Sequence, residues 1–147
     1  MTLLLDTNVI SELRKAGSGR ADPHVVTWAS TVNLSGQFIS AVTLYELARG
    51  VALVERRDPA AAAHLRMWLE RQVITGFANS VLPINAEIAL AAGRLMALEP
   101  RSLADCLKAA TAQVHNLALV TRNVADFAHV PKLKLLNPWA LVQERSE

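Results

Sequence analysis

Cysteine, aromatic residues and long apolar runs are all scarce in this chain of 147 residues. The single cysteine, Cys106, excludes an internal disulfide and leaves no cysteine cluster for zinc, so a reducing cytoplasm is the expected compartment. No apolar stretch approaches the ~20 residues that span a bilayer. The run at residues 1–5 is closed at once by Asp6, without the basic leader or small-residue cleavage site of a signal peptide, and reads as a first strand. No membrane partner is expected. Histidine is also sparse: His24, His64, His115 and His129 lie in different segments, lack paired metal-ligand spacing, and read as surface or packing residues. What remains is 52% hydrophobic and 19% charged, too apolar for disorder. The length suits one domain over residues 1–147. The net charge of +2 is uninformative alone. If four acids were gathered on one divalent ion, however, the remaining surface would be distinctly basic and suited to a polyanion.

Apolar runs at residues 3–5, 38–42, 81–84 and 117–121 read as strands separated by helical patterns. Leu44, Leu47, Ala48 and Val51 follow helical spacing, as do Ile88, Ala91, Ala92 and Leu95, and a third stripe joins Leu65, Trp68, Leu69 and Val73. Asp22-Pro23, Asp58-Pro59 and Asn85 mark helix starts, and Glu99-Pro100 forces a break before a helix over residues 103–116. Strands joined by helical crossovers run parallel. The expected fold is therefore a three-layer α/β/α sandwich around a central, mostly parallel sheet. Helices over residues 43–57 and 59–78 form a helical hairpin insertion, and residues 16–20 form a flexible connection.

Ligands of an open parallel sheet bind beyond the carboxyl ends of its strands. Asp6 follows the first strand, Glu46 lies early in the helix after the second, and Asp126 lies beyond the strand at 117–121. Asp105 opens the helix preceding that strand, whose N-terminus must reach the same edge. Each acid alone has a simpler explanation: Thr43 with Glu46, Ser102 with Asp105 and, more loosely, Asn123 with Asp126 match capping boxes. Capping does not require four segments to bring acids to one edge, whereas a Mg²⁺ or Mn²⁺ site does. Carboxylates clustered without an ion repel one another, so Asp6→Asn and Asp105→Asn are expected to leave the metal-free protein as stable as before, or more so.

The segments 4–13, with Asp6, and 40–50, with Glu46, resemble the first two motifs of the PIN-domain ribonucleases, among them the VapC and FitB-like toxins of bacterial toxin–antitoxin pairs. Ser102-Leu103-Ala104-Asp105 followed by Ala109-Ala110-Thr111-Ala112 is similar to the third motif, and Thr121-Arg122-Asn123 with Asp126-Phe127 to the fourth. Cys106-Leu107-Lys108 departs from the smaller, more apolar residues usual there, with an expected effect on local packing. The resemblance implies an endoribonuclease using Mg²⁺ or Mn²⁺, homodimeric or within a larger assembly, and inhibited by a cognate antitoxin. Asp6, Glu46, Asp105 and Asp126 are then both metal ligands and catalytic residues, with Thr7, Asn8, Thr121 and Asn123 orienting carboxylates or water.

Two other functions compete. A Mg²⁺-dependent phosphatase or phosphotransfer domain also places an aspartate after the first strand, but the second position beyond it is Asn8, not another acid, and no lysine closely follows the strand at 117–121. A non-catalytic binding module would not need all four acids. Arg14, Lys15, Arg20, Arg49 and Arg122 are candidates for phosphate contacts, against the simpler reading of solvated side chains. Trp28, Trp68 and Trp139 are candidates for base stacking, although Trp68 belongs to an apolar stripe that favours packing. Gly17-Ser18-Gly19 lacks the lysine of a phosphate loop, and Gly50 within a helical pattern is expected to mark close packing.

Overall fold

The computed structural model describes residues 1–140. Its centre is β1 (Leu3–Leu5), three leucines with no exposed face. β1 is flanked on one side by β2 (Gln37–Ser40) and β3 (Val81–Leu82), and on the other by β4 (Ala118–Val120) and β5 (Leu135–Leu136). All four pairings are parallel, in the order β3-β2-β1-β4-β5, with Leu4 opposite both Phe38 and Leu119. A strand buried on both faces must be apolar at every position, which is why the pattern reads as a continuous run and not an alternating one.

The period-2 direction of the side chains divides the core. Leu4 and Leu119 face α5 (Ala86–Leu98) and α6 (Leu103–His115), where Ile88, Ala92, Leu95, Ala109 and Ala110 are buried with Phe127. Leu3, Leu5, Ala118 and Val120 face the opposite layer of α1 (Thr7–Arg14), α2 (Pro23–Thr31), α3 (Ala41–Arg57) and α4 (Pro59–Trp68). These are the three layers expected. α3 and α4 pack as a helical hairpin with Asp58 capping the second helix, and Glu55 pairs with Arg66 across it. Beyond Trp68 the chain continues as a π-helical segment, Leu69–Ile74, which turns Leu69 and Val73 into the core.

Several boundaries differ from expectation for local reasons. The strand expected over 38–42 ends at Ser40, whose hydroxyl accepts from the Val42 N–H at 3.0 Å and starts α3 two residues earlier. Thr43 is thus inside the helix and fully buried, so it does not form a capping box with Glu46. The strand over 81–84 shortens to Val81–Leu82, and β5 was not anticipated because two leucines between lysine and asparagine carry no period. Gly50 meets nothing within 4 Å of an added Cβ, so it does not mark close packing. The Asp22, Asp58 and Asn85 caps occur where the sequence places them, and α6 ends one residue before the expected Asn116, which is left-handed and caps it.

Candidate functional site

Because β1 ends at Leu5, Asp6 projects from the carboxyl edge of the sheet and caps α1, its Oδ1 accepting from the Thr7 N–H at 2.7 Å. Its backbone N–H bonds to Val120 O, which ties the turn to β4. Asp6 Oδ2 accepts from the Thr121 hydroxyl at 2.8 Å. Glu46 is half-buried on α3 and accepts from the Thr7 hydroxyl, which also approaches the Thr43 hydroxyl at 3.4 Å. Asp105 sits in the first turn of α6, whose start is fixed by the Asp105 N–H donating to the Ser102 hydroxyl at 3.0 Å. Asp126 is exposed, on the turn Val124–Phe127 after β4. All four acids line one cavity of about 570 Å³.

The supporting polar residues form a second tier. The Thr121 hydroxyl that donates to Asp6 accepts from the Asn123 N–H at 3.0 Å, with the Asn8 amide nitrogen 3.4 Å away. Asn8 Oδ1 accepts from the Arg122 N–H at 3.3 Å. Thr7, Asn8, Thr121 and Asn123 therefore hold the loops that carry Asp6 and Asp126.

At the centre of these acids stands a residue expected only to affect the packing. Lys108, one turn beyond Asp105 on α6, is 4% exposed. Its Nζ donates to Asp6 Oδ1 at 2.6 Å and to Glu46 Oε1 at 2.9 Å, and lies 4.0 Å from Asp105 Oδ1. Burial alone would push this lysine down, but the charges and hydrogen bonds of Asp6 and Glu46 outweigh it and hold it above the ordinary lysine value. Burial raises the Asp105 carboxyl, with Asp6 and Asp126 adding to the rise and Lys108 and Ser102 opposing it.

This geometry tests whether a divalent ion suits the site. The donors are hard carboxylate oxygens from three separate elements, the kind Mg²⁺ and Mn²⁺ take, and they already converge on one positively charged atom. The set therefore fits such an ion in chemistry and in arrangement around a cation. Among the described residues, however, no three Asp, Glu, His or Cys side chains are spaced to close on one ion as they stand. The point where they meet is filled by the ammonium.

Of the other candidates, Arg14, Lys15, Arg122 and Trp139 border the cavity, whereas Arg20 and Arg49 are exposed and do not. The Arg122 guanidinium lies 5.3 Å from the Trp139 ring centroid, and that of Arg14 lies 5.7 Å from Trp68. Trp28 and Trp68 belong to the core layer of α1 to α4, so Trp139 alone of the three tryptophans meets the site. All four histidines are exposed. A smaller cavity on the other side of Asp105 and Asp126 is bordered by Arg101 and His129; Nη1 of Arg101 is buried there without a hydrogen-bond partner.

Sequence reasoning missed Lys108 and Arg101. A signal existed for the first. In Cys106-Leu107-Lys108-Ala109-Ala110, a lone lysine interrupts an otherwise buried small-residue face, three positions after an acid, which aims it where Asp105 points.

Comparison with known proteins agrees with the fold. A family model described as PIN domain matches residues 3–133. The chain is 46% identical over 77 residues to Ribonuclease VapC14 of Mycobacterium tuberculosis, across 52% of this chain and 72% of that protein. It is 34% identical over 143 residues to Toxin FitB of Neisseria gonorrhoeae, covering 93% of this chain and 98% of that protein. The crystal structure of FitAcB from Neisseria gonorrhoeae matches with a TM-score of 0.84 at 31% identity, over 95% of this chain and 100% of that one.

Proposed function

Since the chain belongs to the PIN-domain family, we propose that it is a divalent-metal-dependent endoribonuclease and the toxin of a toxin–antitoxin pair. It hydrolyses RNA phosphodiester bonds at Asp6, Glu46, Asp105 and Asp126. The observation that carries this reading is the meeting of Asp6, Glu46 and Asp105 around one cationic atom, at the carboxyl edge of a parallel sheet. The names ribonuclease and toxin borne by two relatives support the same reading.

Asp6, Glu46 and Asp105 are the residues that would hold Mg²⁺ or Mn²⁺, with Asp126 completing the set. When bound, such an ion supplies an acidified water and positive charge opposite the developing phosphorane. The chain's own groups do the rest. Thr7 and Thr121 fix the carboxylate of Asp6, so its oxygens need no reorientation. Asn8 holds the Arg122 backbone and Asn123 packs its N–H on Thr121, which sets the loop carrying Asp126. Arg14, Lys15 and Arg122 at the cavity's rim bind phosphates of the bound strand, and Trp139 offers a ring for a base. Arg101 borders the cavity on the far side of Asp105, with one terminal nitrogen on Glu99 Oε1 and the other buried without a partner.

A nuclease that cuts its host's RNA must be restrained, so the partners of this chain are RNA, a cognate antitoxin and a second copy of itself. Among the described residues no helix is long and apolar enough to cross a membrane. The phosphatase alternative still lacks its second acid, because Asn8 is engaged with Arg122 and Thr121 where that chemistry wants one.

The test offers purified protein structured RNA, single-stranded DNA and a phosphomonoester, with Mn²⁺ or with chelator. RNA cleavage abolished by chelator is expected. Phosphate release from the monoester with RNA intact would overturn the proposal in favour of a phosphatase.

A further inference from the structure

Lys108 is an internal charge whose placement the cleavage chemistry does not require. Its ammonium is almost wholly buried and donates two short hydrogen bonds to the carboxylates of Asp6 and Glu46, while Asp105 stands at 4.0 Å. Mg²⁺ takes carboxylate oxygens at about 2.0–2.1 Å, closer than an ammonium nitrogen approaches them. An ion that drew these two oxygens together would take the space between them, where the ammonium nitrogen now stands at 2.6 and 2.9 Å. Two cations cannot share it, by volume or by charge. The lysine stem is flexible and unbranched, and Glu46 and Asp105, both part-exposed, open the site toward the cavity, so the ammonium has a way out.

We propose that Lys108 is the resident cation of the site: its ammonium fills the Asp6–Glu46 position in the metal-free protein and must leave it before a divalent ion binds there. The inference rests on the reading of these carboxylates as the metal site. It has two consequences. The acids stay assembled without metal because Lys108 neutralises part of their repulsion. Metal affinity is lowered, because each ion bound must first displace a hydrogen-bonded ammonium.

The experiment titrates the full chain and its Lys108→Met variant with Mn²⁺ by calorimetry, without RNA. The variant is expected to bind Mn²⁺ at least tenfold more tightly than the parent. Equal or weaker binding overturns the inference. If Lys108→Met fails to fold, Lys108→Gln takes its place. A second measurement uses only the parent protein: the ¹⁵N-lysine ammonium signal of Lys108, sheltered from solvent exchange, is expected to disappear when Mg²⁺ saturates the site. Its persistence at saturation overturns the inference as well. If the parent binds Mn²⁺ and cleaves RNA but the variant's affinity is unchanged, the resident-cation proposal falls and the nuclease reading stands. If neither protein binds Mn²⁺ at millimolar concentration, both fall.

Discussion

Lys108 Nζ lies 2.6 Å from Asp6 Oδ1, joining two residues 102 positions apart in the most buried part of the acidic site. Asp6 therefore has a positive partner, and Asp105, at the edge of the same ammonium's reach, mainly suffers burial. The two aspartates differ in what they do for the fold. Relief of repulsion on losing a charge is therefore expected at Asp105 and not at Asp6.

Asp105→Asn is accordingly expected to leave the metal-free protein as stable as before or more so, whereas Asp6→Asn should lose about 1.5–3 kcal/mol, the scale of a hydrogen bond to a charged group. Both should abolish RNA cleavage and shrink the stabilisation conferred by Mn²⁺. Urea denaturation with and without metal, beside a cleavage assay, checks the four outcomes. Full cleavage by either variant would remove that residue from the site.

At the cavity rim, Arg122→Ala should raise the KM for RNA severalfold with kcat little changed, as expected of an exposed guanidinium that borders the cavity and is proposed to bind phosphate. The salt dependence of RNA binding should lose about one unit of slope. Trp139→Ala should weaken binding on the scale of one stacked base, about 1–3 kcal/mol. The two effects should fall short of additive, since the guanidinium lies 5.3 Å from the ring.

Glu12 shapes the acid limit of the fold near the same cavity. The Asp22 N–H donating to it at 2.7 Å, and Lys15 at 3.0 Å, hold its carboxyl below the usual range. A carboxyl depressed in the folded state contributes stability above its unfolded pKa of about 4.3, and that contribution is lost as pH falls through the lower folded value. The stability gap between the parent and Glu12→Gln should be constant from neutral pH down to about pH 5, then shrink with further acidification. Denaturation at a series of pH values reads it. A gap that widens on acidification would contradict the assignment.

The layer arrangement predicts unequal costs for two leucines. Leu119→Ala, in the fully buried face of β4 against α6, should cost about 2–5 kcal/mol. Leu90→Ala, 66% exposed on α5, should stay within about 0.5 kcal/mol. Differential scanning calorimetry ranks them directly.

How legible this molecule was in its sequence follows from which forces are local. β1, α5 and α6 announced themselves because burial on two faces demands unbroken leucine, and because Asn85 and Ser102 cap by their own side chains. Asp6, Glu46, Asp105 and Asp126 could be assigned to one edge from topology alone, since a strand's end and the start of the next helix must coincide. α3 starts two residues before its expected position because Ser40 competes with Thr43 as a cap, and only the position of β2 decides between them. β5 forms through its pairing with β4, a contact no two-residue run encodes. Lys108 was visible as a departure, yet its role depends on the convergence of α6 with Asp6 and Glu46, which spacing within one helix does not contain.

The most direct test of the acidic site is anomalous diffraction from crystals of the full chain soaked in Mn²⁺. One strong peak is expected, bounded by Asp6, Glu46 and Asp105, with the Lys108 ammonium turned away from it. Manganese bound elsewhere while Lys108 still bridges Asp6 and Glu46 would contradict that expectation.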